Sequence, residues 1–138
     1  MRLTSAEPDT SSVFQTLRFS LASNDATLAT SLLLCPAWPT SCGRVTAVPD
    51  LVAAARGVHA DAPSPVVVVD RFGGAEAATF CALSSLLRQA EFESHVDVYE
   101  ACRMSHLARP GAWRAQENYF FLYQVGLYSF FNIFAFVR

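Results

Sequence analysis

The sequence predicts an α/β protein, the remnant of a mixed sheet flanked by helices, with a C-terminal half that is mainly helical. Three observations carry that expectation. Two stretches of strand-like alternation, 13–22 and 27–34, come early; a continuous β-branched run, Val66 to Val69, turns through Gly73-Gly74 into a helix; and further segments then carry apolar residues at helical spacing. With 138 residues, 52% hydrophobic content and a formal charge of -2, the chain suits one modest globular domain and is too apolar for a disordered one.

Residues 1–12, MRLTSAEPDTSS, are polar, lack the apolar core of a secretory signal and are expected to be disordered. Val13 to Ala22 and Thr27 to Leu34 read as strands, and Cys35 to Pro49, with three prolines, as a loop. Val48 to Ala60 carries Leu51, Val52, Ala55 and Val58 on one side and reads as a helix, closed by a turn at 62–65. Val66 to Val69 has the unbroken apolar character of a strand covered on both faces, and such a strand needs neighbours.

Ala75 to Ser94 places Phe80, Leu83, Leu87 and Ala90 at helical spacing, so the expected purpose of this helix is core packing, with Cys81 beside Phe80 on its buried side. Asp97 begins the next helix, with Glu100 three residues on completing a capping box, and Arg109-Pro110-Gly111 ends it. A last helix begins near Ala115. From Tyr119 to Val137 almost every residue is apolar or aromatic. A membrane span is conceivable by length, but Gln124, Ser129 and Asn132 interrupt it; left exposed in water, the stretch is an aggregation liability.

Several function classes are disfavoured. All ten basic residues are arginines scattered along the chain, without the stripe that nucleic-acid binding needs. Cys35, Cys42, Cys81 and Cys102 lack metal-ligand spacing and read as reduced cysteines, so neither zinc nor any other cofactor is expected. His59, His95 and His106 read as surface or packing residues. Gly73-Gly74 has neither the Walker lysine nor the spacing of a dinucleotide fingerprint.

What remains is the loop VVVVDRFGGAEAATF, 66–80, which carries two acids. Taken by themselves, Asp70 suits a turn and Glu76 suits the first turn of a helix, where the dipole favours negative charge. Backbone amides at the start of that helix favour an anion, and the expected anion is Asp70 or Glu76 itself.

The stretch from Thr79 to Tyr123, with its FCAL, VDV, RPG and Tyr-x-Phe-x-Tyr landmarks, resembles the helices that follow the signature loop of protein tyrosine phosphatases. The resemblance runs over 13–125, about the second half of such a domain, and implies a partial phosphatase fold with 126–138 as an aromatic-rich divergent tail. In that register Asp70 stands at the nucleophilic Cys and Val69 at the preceding His. The phosphate loop is Asp70, Arg71, Phe72, Gly73, Gly74, Ala75 and Glu76, with Glu76 at the phosphate-binding Arg. Ala77 and Ala78 follow where the family has Thr or Ser and then Gly. CPAWPTS, 35–41, looks like the mobile Trp-Pro-Asp loop, with Thr40 at the general acid. Arg114 and Asn118 occupy the positions of the two water-orienting Gln residues.

Each replacement removes a different part of the chemistry. A cysteine attacks phosphorus as its thiolate, whereas Asp70 is a poor attacker without a metal or a rebuilt pocket. An arginine fork binds two phosphate oxygens and gains value as charge develops. Glu76 reverses that sign: for unit charges about 4 Å apart at an effective dielectric near 20, an attraction of about 4 kcal/mol becomes a repulsion of similar size.

The resemblance therefore implies a degenerate phosphatase domain, not expected to hydrolyse phosphotyrosine. Asp at the nucleophile position resembles the membrane-distal second domain of receptor-type phosphatases of the gamma and zeta subgroup and their insect relatives. That class implies a catalytically silent module that regulates or docks protein partners beside an active first domain, on the cytoplasmic side of the plasma membrane, or in the cytoplasm if expressed as this fragment. Two alternatives stand beside it: recruited carboxylate or metal-dependent phosphoryl chemistry at Asp70 and Glu76, and a truncated product with no independent function.

Overall fold

A computed structural model describes residues 2–5, 9–10, 14–22, 27–36, 38, 45–61, 65–72 and 74–135. Four strands, β1 (Arg2–Ser5), β2 (Asp9–Thr10), β3 (Gln15–Ala22) and β4 (Thr27–Leu34), precede four helices, α1 (Ala47–Asp61), α2 (Ala75–Glu93), α3 (Val98–Ala108) and α4 (Gln116–Ala135). The mixed α/β composition and the helical C-terminal half match the sequence-based expectation. Thr40, Cys42, the turn at 62–64 and Gly73 lie outside the described residues.

β3 and β4 form an antiparallel hairpin in one continuous register, from Gln15 opposite Leu34 to Ala22 opposite Thr27. The other edge of β3 pairs with β1, opposite Phe19 to Ala22, and with β2, opposite Gln15 and Thr16. Within the segment 1–12, read from sequence as disordered, Arg2–Ser5 and Asp9–Thr10 are strands. An edge strand presents a row of unpaired amides and carbonyls, which the backbone of Arg2–Ser5 satisfies along β3.

The run Val66 to Val69, expected as a buried strand, joins no sheet among the described residues. Val67 and Val69 are 80% and 82% exposed. Sequence pattern reports what a segment is suited to, but burial needs strands on either side, and β3 and β4 instead pair with each other. The sheet is consequently antiparallel throughout, and β4 leaves Leu28, Leu32 and Leu34 exposed.

The core is helical. Val48 and Val52 of α1, Ala82, Leu83, Leu86 and Leu87 of α2, Val98 and Cys102 of α3, and Leu122 and Val125 of α4 form one buried cluster. α2 is central, packing against each of the other three helices. Its buried positions, Thr79, Ala82, Leu83, Leu86, Leu87 and Ala90, recur every three or four residues. The stripe read from sequence is rotated slightly from this face: Phe80 is only half-buried, and Cys81 points to the exposed side rather than the core. Outside the cluster, the Arg56 guanidinium donates to both carboxylate oxygens of Glu91 at 2.8 Å and to the Ser84 carbonyl at 3.3 Å, tying α1 to α2.

α3 starts as the sequence predicts, with one difference. The Asp97 carboxylate accepts the Glu100 amide at 2.8 Å, while Glu100 itself turns to Arg103. The Asp97 amide is satisfied instead by the Gln89 side chain of α2, at 2.9 Å, so the cap also serves as an interhelical tie. Beyond α3, Gly111 adopts a left-handed φ of 83°, a conformation that favours glycine, and reverses the chain into α4.

α4 absorbs most of the apolar C-terminal stretch. Leu122, Val125, Gly126 and Ser129 face inward, and Phe120, Leu127 and Phe131 remain exposed on the outer side. Gly126 permits close approach: a Cβ there would lie 3.4 Å from Val96 Cγ1 and 3.5 Å from Val98 Cγ2. No helix among the described residues is long and apolar enough to cross a membrane.

Two predictions concern stability. Ser129 is buried, and among the described residues its hydroxyl has no hydrogen-bond partner. Ser129→Ala should stabilise the fold by about 1 kcal/mol by removing that desolvated group, read as a higher urea midpoint at unchanged slope. Burial pushes the Cys102 thiol up to about 11 from 9.0. The folded state therefore holds this proton more tightly than the unfolded chain. Its contribution is complete below pH 9 and is lost as pH rises from 9.0 towards about 11. Urea midpoints measured across that window should fall further for the native protein than for Cys102→Ala.

Candidate functional site

The loop between Val69 and α2 is organised around one carboxylate. Asp70 Oδ1 accepts the amides of Phe72, at 2.9 Å, and Gly74, at 2.8 Å. Oδ2 accepts the Gly74 amide at 2.6 Å and the Ala77 amide at 3.0 Å. The first of these bonds is an Asx turn, in which an acid captures the amide two residues on. The last reaches the first turn of α2. Gly74 is the N-cap of α2 and has no side chain to offer, so the acid seven residues before Ala77 caps the helix instead.

An anion here is favoured three times over, by convergent amide donors, by charge-assisted hydrogen bonding and by the positive end of the helix dipole. Of the two acids nominated from sequence, the structure assigns the anion position to Asp70. Glu76 remains on the exposed side of the first turn of α2. Arg71 and Phe72 are both exposed, with the Arg71 guanidinium carbon 5.8 Å from the Phe72 ring centroid. Ala75 contributes its carbonyl, which accepts the buried Thr79 hydroxyl at 2.6 Å.

Of the remaining nominated residues, Arg114 and Asn118 lie around the start of α4. Arg114, two residues before α4, extends along Gly111, where an added Cβ would stand 3.4 Å from both its Nε and Nη2. Asn118, in the first turn of α4, donates its amide to the Ala115 carbonyl at 3.3 Å. Trp38 of the proline-rich loop packs edge-to-face on Phe121 of α4, with ring centroids 6.3 Å apart, fixing one point of that loop to the helical core. His95 is exposed and engages Gln89 and Glu93, and His106 is exposed near the end of α3. Sequence reasoning missed the Phe72, Gly74 and Ala77 amides as the partners of Asp70. Their signal was the aspartate placed two and four residues before loop amides and seven before a helix amide.

A scaffold of this shape, with a strand-like run, an anion-cradling turn and a central helix, defines a class. The family model "Protein-tyrosine phosphatase" matches residues 2–128, and the chain belongs to the protein tyrosine phosphatase family. Among its relatives are receptor-type tyrosine phosphatases of mammals and insects. It is 34% identical over 113 residues to receptor-type tyrosine-protein phosphatase zeta of Homo sapiens, covering 82% of this chain and 5% of that protein. With tyrosine-protein phosphatase 99A of Drosophila melanogaster it shares 34% identity over 102 residues, covering 74% of this chain and 8% of that one. The chain thus spans a small part of these relatives. A solved PTPN18 structure superposes with a TM-score of 0.75 at 18% identity, over 92% of this chain and 48% of that one, which supports the fold.

Replacing Asp70 should separate its roles. Asp70→Ala is expected to cost about 1–2 kcal/mol, the usual range for a lost helix cap, measured by urea denaturation. It should also leave the amide cradle open, so that sulfate or tungstate raises the melting temperature of the variant but leaves the native protein unchanged. An equal anion-dependent shift in both would show that Asp70 does not fill the cradle.

Proposed function

We propose that this chain is a degenerate tyrosine-phosphatase domain that does not hydrolyse phosphotyrosine and acts as a regulatory or protein-interaction module of a receptor-type phosphatase. The observation that carries this reading is the Asp70 carboxylate bound to the Phe72, Gly74 and Ala77 amides. By the resemblance, those amides are where a phosphate would sit. The group at the nucleophile position is therefore spent on the loop, and a phosphate dianion would have to displace a carboxylate that is covalently part of the chain.

The other substitutions support the same reading. Glu76 puts negative charge at the position of the phosphate-binding arginine, and Thr40 supplies no dissociable proton at the general-acid position. Arg114 and Asn118 replace the water-orienting glutamines. The relatives are receptor-type phosphatases, which favours a receptor context, and by resemblance this segment is the second domain, on the cytoplasmic side of the plasma membrane, with the active first domain among its partners. Recruited carboxylate chemistry is less well supported, because both Asp70 oxygens already accept amide hydrogens.

The test is hydrolysis of an aryl phosphate such as para-nitrophenyl phosphate. No turnover above background is expected from this chain or from the intact second domain expressed apart from the first. Turnover that disappears in Asp70→Ala would overturn the proposal. In the intact domain, Asp70→Cys, Glu76→Arg and Thr40→Asp introduced together should restore measurable hydrolysis, whereas Asp70→Cys alone should not, since the cation and proton donor would still be missing.

A further inference from the structure

We propose that the outer face of α4 pairs with the same face of a second copy of this chain, the two helices running antiparallel about a two-fold axis level with Val125 and Gly126. Phe120, Leu127 and Phe131 are 61%, 56% and 67% exposed, and with the exposed, polar Gln124 among them they recur at intervals of four, three and four residues. That is the spacing of a coiled-coil seam, along which two helices bury a shared apolar stripe. Leu122, Val125, Gly126 and Ser129 lie on the opposite side and face the core, so the seam points away from the molecule.

Charge decides the occupant. α4 contains neither lysine nor arginine, and no charged residue stands between Glu117 and Arg138. A helix that lies on a membrane draws affinity from cations on its polar face, and a charged partner needs opposite charge to meet it; this face offers neither. A neutral apolar stripe of matching length does satisfy it, and a second copy carries that stripe. Charge also selects the orientation. In a parallel pair each seam residue meets its own counterpart, and Glu117, seven residues before Gln124, would face Glu117 of the second copy. The antiparallel arrangement instead sets Phe120 against Phe131 of the second copy and Gln124 against Leu127, and it keeps the two glutamates at opposite ends.

The area available sets the strength. Tyr123 and Tyr128 flank the seam, 37% and 36% exposed, and widen it with rings whose hydroxyls can stay at the wet rim. With about 150–250 Å² on each large side chain, these exposed fractions leave on the order of 500 Å² of surface per copy. A pair would therefore bury about 1,000 Å², near the lower limit of specific interfaces and in the range of weak, reversible association. The inference stands on the α4 face alone and is independent of the loss of catalysis.

Sedimentation velocity of the intact chain should move from one to two chain masses across about a hundredfold range of concentration. Leu127→Glu with Phe131→Glu, which puts charge on the seam, should raise the dissociation constant by about thirtyfold or more while far-UV circular dichroism keeps the helical signal. Gln124→Lys, a swap between good helix formers, should weaken pairing by itself, and it decides the matter should the double variant unfold. Phe92→Glu with Met104→Glu, at exposed positions of α2 and α3, should leave association unchanged. A single chain mass at every concentration would overturn the proposal. So would pairing that survives the seam variants, or pairing that the Phe92 and Met104 substitutions weaken equally. Binding to phosphatidylserine vesicles that the seam variants abolish would assign the face to a lipid surface, and loss of pairing in a longer protein holding the intact domain would assign it to another part of that domain. Either result would overturn the proposal too.

Discussion

α2 has to bury Leu83 and Leu86 in the helical core while presenting the amides of its first turn to the end of the Val66–Val69 segment, and the rest of the molecule is arranged around those two demands. It packs against α1, α3 and α4, so its axis cannot rotate without exposing Ala82, Leu83, Leu86, Leu87 or Ala90. Burying each large side chain contributes about 1.5–3 kcal/mol, more than any single loop hydrogen bond. The core therefore fixes where the Ala77 amide points, and the loop adapts to it. That ordering explains why one carboxylate placed at Asp70 can satisfy the cradle: the donors are positioned by packing, independently of what they bind.

The charge of the cradle follows from the same geometry. Amides converging at a helix start form a fixed positive potential that is neutralised by whatever anion arrives. A loop without an internal acid leaves that anion to a ligand. Here the chain provides it, and the donors are satisfied in the unliganded protein. Glu76, in the first turn of the helix, adds negative charge nearby without joining the hydrogen-bond network.

Much of this was legible in the sequence. Thr27–Leu34, the α1 and α2 segments, the Asp97 cap and the stop at Arg109-Pro110-Gly111 are each set by local chemistry, by strand alternation, helical spacing, a capping side chain or a turn residue. The need for an anion at the α2 start was also readable, because it follows from backbone amides alone. Which acid supplies it was not, since Asp70 and Glu76 are equivalent until the loop path brings one carboxylate over the Gly74 amide. The failures share a cause. The sequence pattern suits Val66–Val69 to burial and gives no strand signal at Arg2–Ser5, and both depend on which strands are available to pair, information that lies far away in sequence. Cys81 failed through a rotation of one position about α2, where Thr79 and Leu86, not Phe80, define the centre of the buried face.

On the proposed reading Asp70 replaces a nucleophile, and its hydrogen bonds decide what that replacement does to the loop. A side chain that only lost reactivity would leave three donors facing solvent or an ion, and the loop would be least stable when empty. Asp70 does the opposite: its carboxylate lowers the energy of the empty state by the amount that a helix cap and an Asx turn together contribute. On the proposed reading, the exchange removes chemistry and adds rigidity in one step, since the atoms that hold the loop are those that would otherwise compete with substrate. A module of the proposed kind has to keep its surface in one shape to be recognised, and a loop closed on its own carboxylate keeps that shape without a ligand.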